Sequence, residues 1–238
     1  MRVEAFIITF NESETIHLTL RHYRQFCDRI TILDNFSTDN TREIAESLGC
    51  DVKPFGIAGV LDDKEYIKVK NNVWKGYDAD WVIVCDADEI LLTDYSDLAV
   101  AKFYGNTIFK TNGFNIFSNF MPKDSWLEIQ TGIPDKNYSK QIIFNPKAIK
   151  EIGYVYGCHE CKPDGKVVYS DAELPLLHYK HVGGSKRIAD RHALYAERLS
   201  DWNKRYKCGF QYQEPRDQTI KYFNECLKKS APFSPDGF

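Results

Sequence analysis

Two hydrophobic rhythms divide this chain. Through about residue 100, short apolar runs alternate with stretches whose apolar positions recur every three or four residues, the signature of strands followed by helices. Val3 to Thr9 reads as a strand, and Ile16, Leu20, Tyr23 and Cys27 then share a helical face, with Asn11 or Ser13 available as N-cap. Ile30 to Leu33 is a second strand, ending on Asp34-Asn35. Asp39-Asn40 opens a short helix that Gly49 stops. A weaker strand covers Asp51 to Pro54, a helix over Asp63 to Gly76 buries Tyr66, Val69 and Val73, and Trp81 to Cys85 is the fourth strand. The βαβαβαβ order predicts an α/β fold: a mainly parallel sheet with helices on both faces.

The second half changes character. Strands are expected at Ile108 to Lys110, Phe114 to Phe117, Gln141 to Phe144, Val167 to Tyr169 and Leu174 to Leu177, separated by loops rich in Gly, Pro and Asn. The longest loop runs from about Ser118 to Lys140, a length commonly associated with function. Lys186 to Lys207 predicts a long basic amphipathic helix with Ile188, Leu194, Tyr195, Leu199 and Trp202 on one side. Thr219 to Lys229 predicts a last helix, and 231–238 a frayed tail. The expected organisation is an α/β domain over 1–185, with halves 1–105 and 106–185, and a helical extension over 186–238.

Composition narrows the class. The chain has 238 residues, 43% hydrophobic and 27% charged, which suits an ordinary folded protein and not a disordered one. A formal charge of −3 gives no global attraction to nucleic acid, and none is expected as a partner. No apolar run approaches the roughly 20 residues that cross a bilayer. The N-terminus enters a strand pattern directly, without a signal-peptide cleavage region. Its 7 cysteines, odd in number and scattered, favour free thiols in a reducing compartment, so a cytoplasmic location is expected. Cys158-His159-Glu160-Cys161 lacks a second Cys/His pair at ligand spacing, so structural zinc is not expected.

The chemistry concentrates where strands end. Trp81-Val82-Ile83-Val84-Cys85 stops on Asp86-Ala87-Asp88-Glu89. Two carboxylates about 5 Å apart repel by roughly 3 kcal/mol at an effective dielectric of about 20, which solvent, a raised pKa or a cation must offset. Hard oxygen ligands suit Mg²⁺ or Mn²⁺, which usually carry substrate phosphates. Thr9-Phe10-Asn11-Glu12 and Asp34-Asn35-Phe36-Ser37 end two other strands. In an open parallel sheet, ligands bind at the carboxyl ends of strands, so these acids and amides converge on one pocket for a phosphate-bearing ligand.

Phe6-Ile7-Ile8-Thr9-Phe10-Asn11-Glu12, Ile32-Leu33-Asp34-Asn35-Phe36-Ser37-Thr38-Asp39-Asn40-Thr41 and Trp81 to Glu89, in that order and spacing, resemble a family 2-type glycosyltransferase. The similarity extends to the branch near family 92 and related bacterial and viral sugar transferases. Beyond about residue 105 it rests on Ser139-Lys140-Gln141, Gly157-Cys158-His159-Glu160 and Leu176-Leu177-His178-Tyr179. The resemblance implies a GT-A fold and a nucleotide-sugar donor, most often a UDP-sugar, with Mn²⁺ or Mg²⁺. It also implies a carbohydrate or lipid-linked glycan acceptor and a place in polysaccharide biosynthesis. Carried over by position, Thr9, Asn11, Glu12, Asp34 and Asn35 would line the nucleotide site, with Lys70 facing the donor. Asn35 stands where many relatives have a second acid, which leaves the base open. Asp88, with Asp86 assisting across Ala87, would hold the cation, and His178 would be its third protein ligand. His181 and Lys186, in a His-x-Gly-x-x-Lys pattern, are the alternative contact to the diphosphate. Glu160 is the expected base of an inverting transfer, with His159 as the alternate.

Trp126, Phe120 and Tyr138 are the aromatics expected in an acceptor loop. The basic helix over 186–207 leaves peripheral membrane contact open. Competing readings are a non-catalytic nucleotide-sugar or glycan-binding module and a sugar nucleotidyltransferase; the latter calls for a Gly-rich phosphate loop that Thr9-Phe10-Asn11-Glu12 does not provide.

Overall fold

The structure is a computed structural model in which residues 1–233 are described. The first half forms β1 (Val3–Thr9), α1 (Ile16–Tyr23), β2 (Arg29–Asp34), α2 (Thr41–Ser47), β3 (Asp51–Pro54), α3 (Asp63–Asn72) and β4 (Trp81–Asp86). A short β5 (Glu89–Leu91) and α4 (Tyr95–Phe103) follow. The second half adds β6 (Ile108–Phe117), β7 (Thr131–Pro134), β8 (Ile143–Phe144), β9 (Ile149–Glu151), β10 (Asp164–Gly165) and β11 (Tyr169–His181). It closes with α5 (Ser185–Arg198), α6 (Asp201–Tyr206), α7 (Arg216–Lys229) and β12 (Ala231–Pro232).

The central strands are buried on both faces, which is why they read as near-continuous apolar runs. Val3, Ala5 and Ile7 of β1 pack with Ile32, Ile83 and the α1 residues Ile16 and Leu20. Phe6 and Ile8 point the other way, into a cluster with Leu33, Trp74, Val82, Val84 and Phe144. The parallel order β3-β2-β1-β4 is extended by antiparallel pairing through β8, β6, β7 and β12. The expected mixed, mainly parallel α/β sheet is present. Its registers, Thr9 beside Asp34 and Ile8 beside Asp86, bring the polar strand ends to one rim.

Several expectations for the second half change. Ile108 to Phe117 is one strand, and Gly113 interrupts its pattern because a β-carbon there would overlap the backbone of Tyr138 and Ser139. β11 is likewise one long strand, parallel to β6 with His178 beside Asn115, and antiparallel to β5 with His178 beside Glu89. The single helix expected over 186–207 breaks at Leu199, whose ψ of 126° is extended. Leu61 draws it out of helix: Leu61 N–H donates to the Arg198 carbonyl (2.7 Å) and Ser200 N–H to the Leu61 carbonyl (2.9 Å). Ser200 then caps α6 by accepting from Asn203 N–H at 3.0 Å. Of the tail expected to fray, Ala231–Pro232 pairs with β7, and residues 234–238 lie outside the described residues.

Packing continues across the expected boundary at 185/186. α5 and α7 pack Ile188, Phe223 and Cys226 onto Phe117, and fully buried Asn203 bonds Asp63 at the start of α3. No helix among the described residues is long and apolar enough to cross a membrane.

Candidate active site

A cavity of about 370 Å³ opens at the carboxyl rim of β1 and β4. Its floor holds Thr9, Asp86, Ala87 and Asp88. One side is Lys70 of α3, and the other comes from Tyr138, Lys140, His159, His178 and Lys180. Lys207 to Tyr212, after α6, complete the wall.

Beneath the floor lies a buried network of alternating charge. Lys70 Nζ meets Asp86 Oδ1 at 2.8 Å; Lys140 Nζ pairs with Glu89 Oε1 and lies 3.9 Å from Asp86 Oδ2. Glu89 Oε2 also accepts the Asp86 backbone N–H at 2.9 Å. Burial opposes both ammonium charges, but the carboxylates outweigh it and hold both lysines above the ordinary lysine value. Burial likewise opposes the Glu89 charge, and Lys140 and Lys70 outweigh it, holding that carboxyl well below its ordinary range. Asp86, expected to assist Asp88, thus faces Lys70 and Lys140. Lys140 had no assigned role in the expected site, because it lies in an irregular loop and only the tertiary fold brings it to Glu89 and Asp86.

Asp88 faces a histidine. His178 Nε2 lies 3.7 Å from Asp88 Oδ1, too long for a hydrogen bond. The histidine's tautomer is fixed from behind. Asp135 Oδ2 accepts from Asn115 Nδ2 at 2.8 Å, so the Asn115 carbonyl oxygen is the atom that faces His178 Nδ1, at 2.9 Å. Nδ1 therefore carries the proton, and Nε2 presents a lone pair to Asp88. Burial, then Lys140 and Lys180, push His178 well below its ordinary value, so the ring is neutral. Burial, then Glu12, Asp86 and Glu89, raise the Asp88 carboxyl to about 7. Two acceptor atoms 3.7 Å apart suit a cation bound about 2.1 Å from each. Among the described residues no group of three His, Cys, Asp or Glu converges as a metal cage. Mg²⁺ and Mn²⁺ are commonly held by one or two protein ligands, water and substrate phosphate, so the donor pair fits that chemistry.

The raised Asp88 value carries a prediction. A carboxyl whose folded value of about 7 exceeds its free value of 3.8 stabilises the fold fully below the free value and loses that contribution as pH rises through about 7. The metal-free protein should lose several degrees of melting temperature between pH 5 and pH 8 from this group. Saturating Mn²⁺ should restore most of that loss at pH 8. A melting curve with the same pH slope with and without Mn²⁺ would count against this.

The remaining expected residues divide. The Thr9 hydroxyl is buried, faces the cavity and has no hydrogen-bond partner among the described residues, leaving it available to a ligand. Glu12 lines the cavity and is clamped by Arg191, which also bonds Tyr195 Oη at 2.6 Å. Asn11, Asp34 and Asn35 do not line it. Asn11, at φ 52°, is tied to Ser37 and Thr38; Asp34 accepts from Ser37 N–H at 3.0 Å; and Arg198 and the Phe55 carbonyl hold Asn35. These residues build the loop behind the pocket, since their polar atoms are engaged in holding that turn.

His181 stacks on Phe117 with ring centroids 4.7 Å apart, where Phe117 meets α5 and α7, and Lys186 is exposed on the first turn of α5; neither lines the cavity. The turn at Gly157 (φ 78°) and Cys158 (φ 55°) brings His159 into the cavity wall and leaves the Glu160 side chain exposed and outside it. His159 Nδ1 donates to the Asn137 carbonyl at 2.7 Å, which leaves Nε2 as an acceptor; partial burial and Lys140 push its pKa down. Of the aromatics expected near an acceptor, only Tyr138 lines the cavity, stacked on His178 at 4.2 Å. Trp126 is a core residue whose indole N–H donates to Thr19 Oγ1. Phe120 is half exposed, away from the lining. Lys180 lies over the Tyr212 ring at 4.4 Å and donates to its hydroxyl at 2.9 Å, an interaction that no motif announced.

The sequence model of Glycosyl transferase family 2 matches residues 5–152. An uncharacterized glycosyltransferase of Rickettsia bellii is 34% identical over 98 residues, covering 40% of this chain and 31% of that protein. A second, from Rickettsia conorii, is 35% identical over 99 residues, covering 40% and 32%. The matched segment thus spans about a third of the length of these relatives. Among solved structures, Staphylococcus aureus TarS 1–349 in complex with UDP gives a TM-score of 0.49 at 14% identity, covering 94% of this chain and 70% of that one. Mycobacterium tuberculosis glucosyl-3-phosphoglycerate synthase with Mn²⁺, UDP-glucose and phosphoglyceric acid gives 0.34 at 18% identity, covering 48% and 44%.

Proposed function

The chain belongs to glycosyl transferase family 2, and from that premise we propose that it moves a sugar from a nucleotide-sugar donor, a UDP-sugar, to a hydroxyl of a glycan acceptor with inversion. The observation that carries this reading is the pair of acceptor atoms, Asp88 Oδ1 and His178 Nε2, facing each other at 3.7 Å inside the rim cavity. Asp88 and His178 would hold Mn²⁺ or Mg²⁺, and a bound divalent cation supplies Lewis-acid stabilisation of a departing nucleoside diphosphate. Lys70 and Lys140 bring further positive charge to the same floor. Thr9 offers a free hydroxyl, and Phe10, Tyr66 and Tyr195 give the apolar wall a base requires. A nearer kinship with family 92 rests on His178 alone. Peripheral membrane contact gains no support from α5, which turns Ile188 and Ala189 inward.

A single displacement needs a base for the acceptor proton. His159, neutral and with Nε2 free to accept, takes that role in this reading in place of Glu160. His159→Gln should lower kcat by about 10²- to 10⁴-fold with donor affinity retained. Glu160→Gln should stay within about twofold of wild type, since an exposed side chain away from the cavity has little to lose. The reverse pattern would return the role to Glu160.

Calorimetry of UDP-sugar uptake with and without Mn²⁺, paired with an assay for sugar released to water, tests the function. Cation-dependent uptake with slow hydrolysis is expected. Uptake indifferent to the cation removes the donor reading, and cation-dependent uptake without hydrolysis or transfer favours a binding module.

A further inference from the structure

Outside the donor cavity, at its mouth, three aromatic rings form a continuous shelf. Tyr156, which lines the cavity, packs against Trp202 with centroids 4.6 Å apart; Trp202 packs against Tyr206 at 4.7 Å. The two outer rings remain 55% and 56% exposed, and Phe210, also on the cavity wall, is 62% exposed. Large rings left open to water and grouped together mark an interaction surface more often than a packing accident. The shelf also carries charge: Lys64 Nζ lies 5.4 Å from the Trp202 centroid, Arg205 5.6 Å from that of Tyr206, and Lys207 lines the cavity itself.

We propose that the Tyr156–Trp202–Tyr206 shelf is a binding site for the acceptor, and that the acceptor is an anionic glycan extending beyond the reacting sugar. The inference rests on the reading of the adjoining cavity as a glycosyl-transfer site. Rigid aromatic faces suit the apolar faces of pyranose rings, because they offer area with little entropy to lose. The shelf is continuous with the cavity through Tyr156, and His159 stands three residues on in the same turn, so a chain lying on the rings leads its terminal hydroxyl towards the base. Lys64, Arg205 and Lys207 complement carboxylates carried along such a chain. Two acids stand near the shelf as well: Asp201, one helical turn before Arg205 on α6, and Asp63, which lines the cavity and is engaged by the Asn203 amide.

The molecule supplies its own reporter. Trp74, Trp81 and Trp126 are buried to 2% exposure or less, so acrylamide quenching of tryptophan fluorescence reports chiefly on half-buried Trp202. Tetragalacturonate should protect Trp202 from quenching at least twofold, and neutral maltotetraose markedly less. Tyr206→Ala should weaken the tetragalacturonate affinity about tenfold, and Arg205→Gln about threefold. Protection by neither saccharide, or an unchanged affinity in Tyr206→Ala, overturns the site. Equal protection by both saccharides overturns its preference for anionic chains. Mn²⁺-dependent UDP uptake by the wild-type protein is measured alongside. If that fails while Trp202 is still protected, the donor reading falls and the shelf stands; if uptake succeeds without protection, only the shelf falls.

Discussion

In an Asp88→Ala variant, UDP-sugar uptake loses its dependence on Mn²⁺ and turnover falls by about three orders of magnitude or more. The size follows from what remains. His178 Nε2 alone is a neutral single ligand, and Asp86 cannot take over, because Lys70 holds it at 2.8 Å. Fold stability should not fall with activity. A carboxyl raised to about 7 by partial burial and then by its acidic neighbours destabilises the fold when ionised, so its removal relieves that cost and the repulsion from Glu12, Asp86 and Glu89. The melting temperature of metal-free Asp88→Ala at pH 8 should therefore equal or exceed that of wild type, while Mn²⁺ no longer raises it. A variant that melts early and still gains stability from Mn²⁺ would place the cation elsewhere.

Lys140→Met is expected to have the largest effect on stability. It strips the partner from Glu89, which is 1% exposed, and breaking a buried pair costs about 3–5 kcal/mol. For a chain of this size that is a fall of roughly 10 °C or more in melting temperature. The double change Lys140→Met with Glu89→Gln should recover much of the loss, because the charge left unpaired has gone. Lys70→Met should cost less, since Asp86 keeps 32% of its side chain exposed and water replaces the lysine in part. The pH dependence has a definite sign. Glu89 is held below its free value, so its stabilisation is present above about pH 4.5 and lost as pH falls towards its folded value. The deficit of Lys140→Met is therefore widest at neutral pH and narrows below about pH 4. A deficit independent of pH would show that packing, not charge, is what Lys140 contributes.

How much of this was legible in the sequence depends on where each signal resides. β1, β2 and β4 are apolar at most of their buried positions, Glu4, Thr9, Thr31 and Asp34 being the exceptions, because elements cover both faces, and such runs announce themselves. Asp88 is legible for the same reason: an acid directly after such a run stands at the rim. His178 and His181 share β11, and a register irregularity between them sets His178 beside Asn115 and His181 beside Phe117, so their rings lie 6.3 Å apart while one faces Asp88 and the other stacks on Phe117. The motifs favoured His178 as the cation ligand and kept His181 as an alternative contact to the diphosphate. Lys140 had no assigned role in the site, because its place depends on Gly113 letting β6 run against the backbone of Tyr138 and Ser139. The break between α5 and α6 was hidden for a similar reason. Leu199 fits a helical face as well as it fits the bridge to Leu61, and only the tertiary contact decides. The short strands β5, β7 and β9 have no periodicity of their own and exist through their partners.

The wall built by Lys207 to Tyr212 bears on how the protein comes into being. Asp88 leaves the ribosome long before that wall does, and amino-terminal units fold first during synthesis. The nascent polypeptide thus displays its acidic rim while the pocket still lacks one side. Folding of the early strands and competence for sugar transfer become separate events, and a messenger truncated ahead of α6 yields a product that has its acids in place and no enclosed chamber in which to use them.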